Sequence, residues 1–124
     1  MLFEIGDGRY RLTIEVIELG KDLVVIFSGG DKHIGAVSLS LVRKSLRDPG
    51  QLSASNSLLT VPGHKEEDIV ISLAKKITSR TGRNCVLVAG IHLDNITNEE
   101  LDTIWENCQE GAEKVINNMT ADKI

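Results

Sequence analysis

Aromatic side chains are scarce. Phe3, Tyr10, Phe27 and Trp105 are the only four, 3% of 124 residues. Proteins that hold single-stranded nucleic acid stack the bases on several exposed rings, so the composition argues against that class. A basic excess is also missing: 14 Lys and Arg face 18 Asp and Glu, for a formal net charge of −4. No chain-wide field attracts a phosphodiester backbone or an anionic membrane surface. No apolar run approaches the roughly 20 residues that span a bilayer. Residues 1–10 carry Glu4 and Asp7 and lack the order of a secretion signal. Cysteine is limited to Cys85 and Cys108, with no CxxC spacing and no disulfide framework. These absences suit a cytoplasmic protein with reduced thiols and no nucleic-acid or membrane partner.

What remains is an ordinary globular composition, 41% hydrophobic and 26% charged. The length fits one domain over residues 1–124, with a core of Val, Ile and Leu. Residues 9–20 alternate apolar Leu12, Ile14 and Val16 with Arg11, Thr13 and Glu15, the period of a half-buried strand. A turn at Gly20-Lys21-Asp22 leads into a continuous apolar run over residues 23–27, expected as a central strand of a hairpin. Gly29-Gly30-Asp31-Lys32 breaks that run, and residues 33–41 read as a third strand. Residues 42–63 show no clear period. They hold both prolines and Ser53, Ser55 and Ser57, and are expected to form a long connection suited to a mobile gate, with at most a short strand at 57–61.

Gly63-His64 opens a predicted helix with Glu66, Glu67 and Asp68 in its first turn. Ile69, Val70, Leu73, Ala74 and Ile77 form its apolar face, and Gly82 ends it. Residues 84–91 form another buried strand. Thr97-Asn98-Glu99-Glu100 is a capping box, followed by a stripe of Leu101, Ile104, Trp105, Cys108, Ala112, Val115 and Ile116. The predicted order is β-β-β-loop-α-β-α. The fold class is therefore α+β, a mainly antiparallel sheet with two helices packed on one face.

Each histidine lies near a glycine at a predicted strand end or helix start: Gly30 with His33, Gly63 with His64, Gly90 with His92. Glycine permits close backbone approach, and a helix start offers free N–H groups to an anion. Gly63, His64 and Lys65 are thus a candidate anion site. Gly29, Gly30, Lys32 and His33 are a second, with Gly35 expected as a close-approach point inside a strand. His33, His64 and His92, with Asp94, are also a possible metal set, although no HxH or HxxxH spacing supports it. The acidic last helix is most simply a solvated face. The residues themselves lead to an anion pocket and name no ligand.

Longer blocks carry a resemblance. Gly29-Gly30-Asp31-Lys32-His33-Ile34-Gly35-Ala36-Val37, then Pro62-Gly63-His64-Lys65-Glu66, then Gly90-Ile91-His92-Leu93-Asp94-Asn95-Ile96-Thr97 resemble, in order, the signature blocks of the LpdD-like prenylated-flavin chaperone family, the small accessory proteins of gallate decarboxylase systems. Lys32 stands where many members are expected to carry proline. The resemblance implies a non-catalytic cofactor chaperone. It implies that reduced prenylated FMN is bound as cargo and delivered to a UbiD-type decarboxylase, with a flavin prenyltransferase as the other partner. On this reading the cofactor-binding residues are Gly29, Gly30, Lys32, His33, Gly35, Ser55, Ser57, Gly63, His64, Lys65 and His92, and any metal is open. Two alternatives stand beside it: a small metal-dependent enzyme using the three histidines, and a ligand-free protein that serves only as a component of the decarboxylase. A homodimer is expected in each case, because an edge strand at residues 9–20 would need cover.

Overall fold

The computed structural model describes residues 1–61 and 67–120. Its elements are β1 (Leu2–Ile5), a 3₁₀ turn (Gly8–Tyr10), β2 (Leu12–Leu19), β3 (Asp22–Gly30), β4 (Ala36–Lys44), β5 (Leu52–Thr60), α1 (Glu67–Thr81), β6 (Cys85–His92) and α2 (Asn98–Met119). The six strands form one sheet in the order β1-β2-β3-β6-β4-β5. Only β3 and β6 run parallel; every other neighbouring pair is antiparallel. The α+β class with a mainly antiparallel sheet is as expected.

Strand alternation sorts the side chains. Leu12, Ile14 and Val16 of β2, Leu23, Val25 and Phe27 of β3, and Cys85, Leu87 and Ala89 of β6 are buried on one face. Val70, Leu73, Ala74 and Ile77 of α1 and Ile104, Cys108, Ala112, Val115 and Ile116 of α2 close the core over them. Both cysteines are free and buried there, which pushes each thiol up to about 12. The capping box forms as predicted: the Thr97 hydroxyl accepts from Glu100 N–H, and the Glu100 carboxylate accepts from Thr97 N–H.

The other sheet face is apolar too. The register aligns Ile17, Val24, Val86 and Leu39 in one row and Ile26, Val88, Val37 and Leu59 in the next. Leu39 and Leu59 stay exposed, and no described element packs over these rows.

Five expectations need correction. Residues 52–60, within the expected loop, form a full strand, β5, paired along its length with β4. Its inward positions include Ala54, Asn56 and Leu58, and its outward ones are Ser53, Ser55, Ser57 and Leu59, so too little apolar contrast marks the period. The long gate therefore reduces, among the described residues, to a short turn between β4 and β5, in which Ser45 N–H bonds to Gln51 O and Gln51 N–H to Asp48 O. Gly29 and Gly30 do not break the chain into a turn; they are the last residues of β3, paired with Ile91 and His92. Gly35 precedes β4, which begins at Ala36, instead of lying inside a strand. The strand at residues 9–20 is not the edge strand of the sheet, because β1 pairs with the first half of β2, residues 12–15, and takes the outer place. Leu101 and Trp105, placed on the buried stripe, sit at its rim and remain 48% and 37% exposed.

Candidate functional site

One end of the sheet gathers most of the predicted residues. Because β3 and β6 are parallel, both finish there, and the register sets Gly30 opposite His92. Because β4 is antiparallel to β6, its start lies at the same end, with Ala36 opposite Ala89. The segment from Asp31 to Gly35 therefore crosses over the end of β6. It is pinned by Asp31 N–H donating to the His92 carbonyl at 3.0 Å and by Gly35 N–H donating to the Ala89 carbonyl at 2.9 Å.

Two glycines make this crossing possible. Gly30 adopts φ +62, and a Cβ there would overlap the His92 carbonyl oxygen. Gly90 lies under the crossing segment, and a Cβ there would overlap the His33 carbonyl oxygen. The result brings His33 and His92 together, with ring centroids 6.0 Å apart and planes at 84°. His33 Nδ1 is 3.0 Å from the Asp31 carbonyl oxygen, so that nitrogen donates. His92 Nε2 donates to Asp94 Oδ1 at 3.1 Å.

A cleft of ≈ 230 Å³ opens beside this pair, lined by Arg9, Gly30, Asp31, His92, Leu93 and Asp94. Arg9 reaches it from the 3₁₀ turn and donates from Nη2 to the Asp94 carbonyl at 2.8 Å. Its Nε pairs with Glu100 Oε2 at 3.3 Å. The Tyr10 hydroxyl donates to the same carboxylate oxygen at 2.9 Å. Glu100 is thereby held below the usual carboxylate range, first by the Thr97 N–H bond and then by Tyr10. The Tyr10 hydroxyl is pushed up, chiefly by that same bond. The start of α2 and the 3₁₀ turn thus brace one wall of the cleft.

Of the expected site residues, Gly29, Gly30, Lys32, His33, Gly35 and His92 lie at this end of the sheet. Ser55 and Ser57 do not join them. Both are on the uncovered face of β5, opposite Leu41 and Leu39, and the Ser55 hydroxyl accepts from Arg43 Nε at 2.9 Å. Gly63, His64 and Lys65 lie outside the described residues, and so does the helix-start anion site they were expected to form. The expected three-histidine metal set is described only in its pair His33 and His92. The acidic helix is partly engaged: Glu113 pairs with Lys76 at 2.8 Å and Arg80 at 3.3 Å. Those contacts hold its carboxyl low, Lys76 first.

Sequence reasoning missed Arg9 and gave Asp31 no role. Arg9 lies 85 positions before Asp94, and only the folded sheet reveals that contact. Asp31 carried a local signal, a carboxylate directly after a paired glycine and two positions before a histidine.

Comparison with known proteins agrees with the sequence blocks. Residues 6–120 match the family model described as the prenylated flavin chaperone LpdD-like domain. No curated protein matches the chain.

Proposed function

The chain belongs to the prenylated flavin chaperone LpdD-like family, and from that premise we propose that it binds reduced prenylated FMN and hands it to a UbiD-type decarboxylase. A flavin prenyltransferase would supply the cargo. The protein itself would turn nothing over. The observation that carries this reading is the convergence of the β3 and β6 ends and His92 on a cleft that Arg9 lines, with His33 against His92.

The cleft suits one end of such a ligand. An FMN-type phosphate bears about 1.5 to 2 negative charges near neutral pH, by analogy with a phosphorylated side chain. The Arg9 guanidinium is suited to a planar, paired contact with phosphate oxygens. Lys32, exposed on the crossing segment next to Asp31, would add a second cation. At ≈ 230 Å³ the cleft is smaller than the roughly 300–1,000 Å³ of an enclosing ligand pocket. The phosphate and ribityl end would be held, while the ring system lies across neighbouring surface. Partial enclosure suits a carrier that must release its cargo.

Further parts of the reading concern partners and place. A second copy or the decarboxylase would cover the apolar sheet face, because paired sheets bury such rows against each other. No described helix is long and apolar enough to cross a membrane. A cytoplasmic location fits the two reduced thiols.

Substitution tests the phosphate assignment. Arg9→Ala and Lys32→Ala should each weaken binding of reduced prenylated FMN about tenfold, as expected for one charge-assisted hydrogen bond. Anaerobic calorimetric titration measures it. Parent-like affinity in both variants would contradict the assignment.

A further inference from the structure

Asp31, His92 and Asp94 are all exposed, and each offers one ligating atom; these atoms all lie within 4.8 Å of one another. They come from two separate chain segments, joined by the Asp31 N–H bond to the His92 carbonyl. His92 Nε2 and Asp94 Oδ1 are 3.1 Å apart. They form a hydrogen bond there, and a cation would take the place of its proton; the spacing matches the edge of an octahedron whose metal–ligand bonds measure about 2.2 Å. Asp31 is exposed, so its side chain is free to adjust toward the other two. All three residues line the cleft.

We propose that Asp31, His92 and Asp94 form a divalent-cation site whose open positions take the phosphate of the bound flavin. This deepens the carrier reading and rests on it. The charge pattern supplies the reason. Two carboxylates and one guanidinium line the cleft, and two carboxylates repel a phosphate. A divalent cation cancels both and leaves the outer nitrogens of Arg9, whose Nε stays paired with Glu100, to meet the anion. One imidazole with two carboxylates suits Mn²⁺, Fe²⁺ or Zn²⁺, and suits Ca²⁺ less, since that ion prefers an all-oxygen shell. Three protein ligands leave about three positions of an octahedron for phosphate oxygens or water. This set differs from the three-histidine one: His33 braces Asp31 through its carbonyl and is not a ligand.

The test uses the full chain, stripped of metal by a chelator and titrated with Mn²⁺ alone, with free Mn²⁺ read by electron paramagnetic resonance. One Mn²⁺ per chain is expected. Asp31→Asn, His92→Gln and Asp94→Asn should each weaken it at least tenfold with an unchanged circular dichroism spectrum. Asp102→Asn, on the exposed side of α2, should bind as the parent does. No Mn²⁺ binding, or binding that ignores all three substitutions, overturns the site. A second arm adds reduced FMN with and without Mn²⁺. The proposal predicts at least tenfold tighter flavin binding with the metal, lost in Asp31→Asn. Flavin affinity indifferent to Mn²⁺ overturns the bridging role. Flavin that binds under neither condition, with one Mn²⁺ still bound per chain, upholds the cation site and sinks the carrier reading.

Discussion

A methyl group at position 90 would overlap the carbonyl oxygen of His33, a backbone atom held by the crossing segment on either side. The conflict cannot be relieved by rotating a side chain. Gly90→Ala should therefore displace residues 31–35 and cost about 1–3 kcal/mol of stability, the range for a forced overpacking. It should also weaken flavin binding, because Asp31 and His33 move with the segment. Chemical denaturation and anaerobic titration of the same sample check the two effects together. Unchanged stability would show that this segment does not lie against β6. The glycines and histidines of this region were legible in the sequence, since a glycine beside a histidine at a strand end is a local pattern. Arg9 was not legible, because its role depends on a contact made only after the 3₁₀ turn and the end of β6 are brought together.

At the level of elements, the edge strand β5 stands where a mobile gate was expected. A mobile loop at residues 52–60 would exchange all its amide protons quickly. A strand paired with β4 over nine positions should protect those amides that point to β4, the alternate ones along the strand. Hydrogen exchange resolved by residue should show that alternation. Uniformly fast exchange across residues 52–60 would contradict the strand. The central strands were readable because β3 and β6 are buried by continuous apolar runs. The capping box of α2 was readable because it depends on four consecutive residues. β5 escaped because serines occupy three of its four outward positions, Leu59 being the fourth, and Asn56 takes one inward position, where it donates to the Ile71 carbonyl at 3.2 Å. Backbone pairing holds it in the sheet, and backbone pairing leaves no mark on hydrophobic periodicity. Leu101 and Trp105 erred the other way: their spacing fits the stripe of α2, but both stay exposed at its rim.

For the whole molecule, pH should open the fold from two sides. Glu100 and Glu113 have carboxyls lowered from an ordinary 4.5 by hydrogen bonds and cationic neighbours. Lowered acids bind fewer protons folded than unfolded, so their contribution is present above about pH 4.5 and is lost as pH falls further. Cys85 and Cys108 are raised from 9.0 to about 12 by burial. Their contribution is complete below about pH 9 and is lost as pH rises toward 12. Urea midpoints should form a plateau between these limits and fall on both sides. A midpoint that holds steady from pH 8 to 11 would show that the thiols are not buried as described.

The carrier reading also belongs to this scale, because it joins the cleft, the uncovered sheet face and the family in one account. Its most direct test is an anaerobic titration of the intact protein with reduced prenylated FMN, with reduced FMN as the control. The account predicts saturable binding, one ligand per chain, with the prenylated form preferred. Equal affinity for both flavins, or no binding of either, would contradict it.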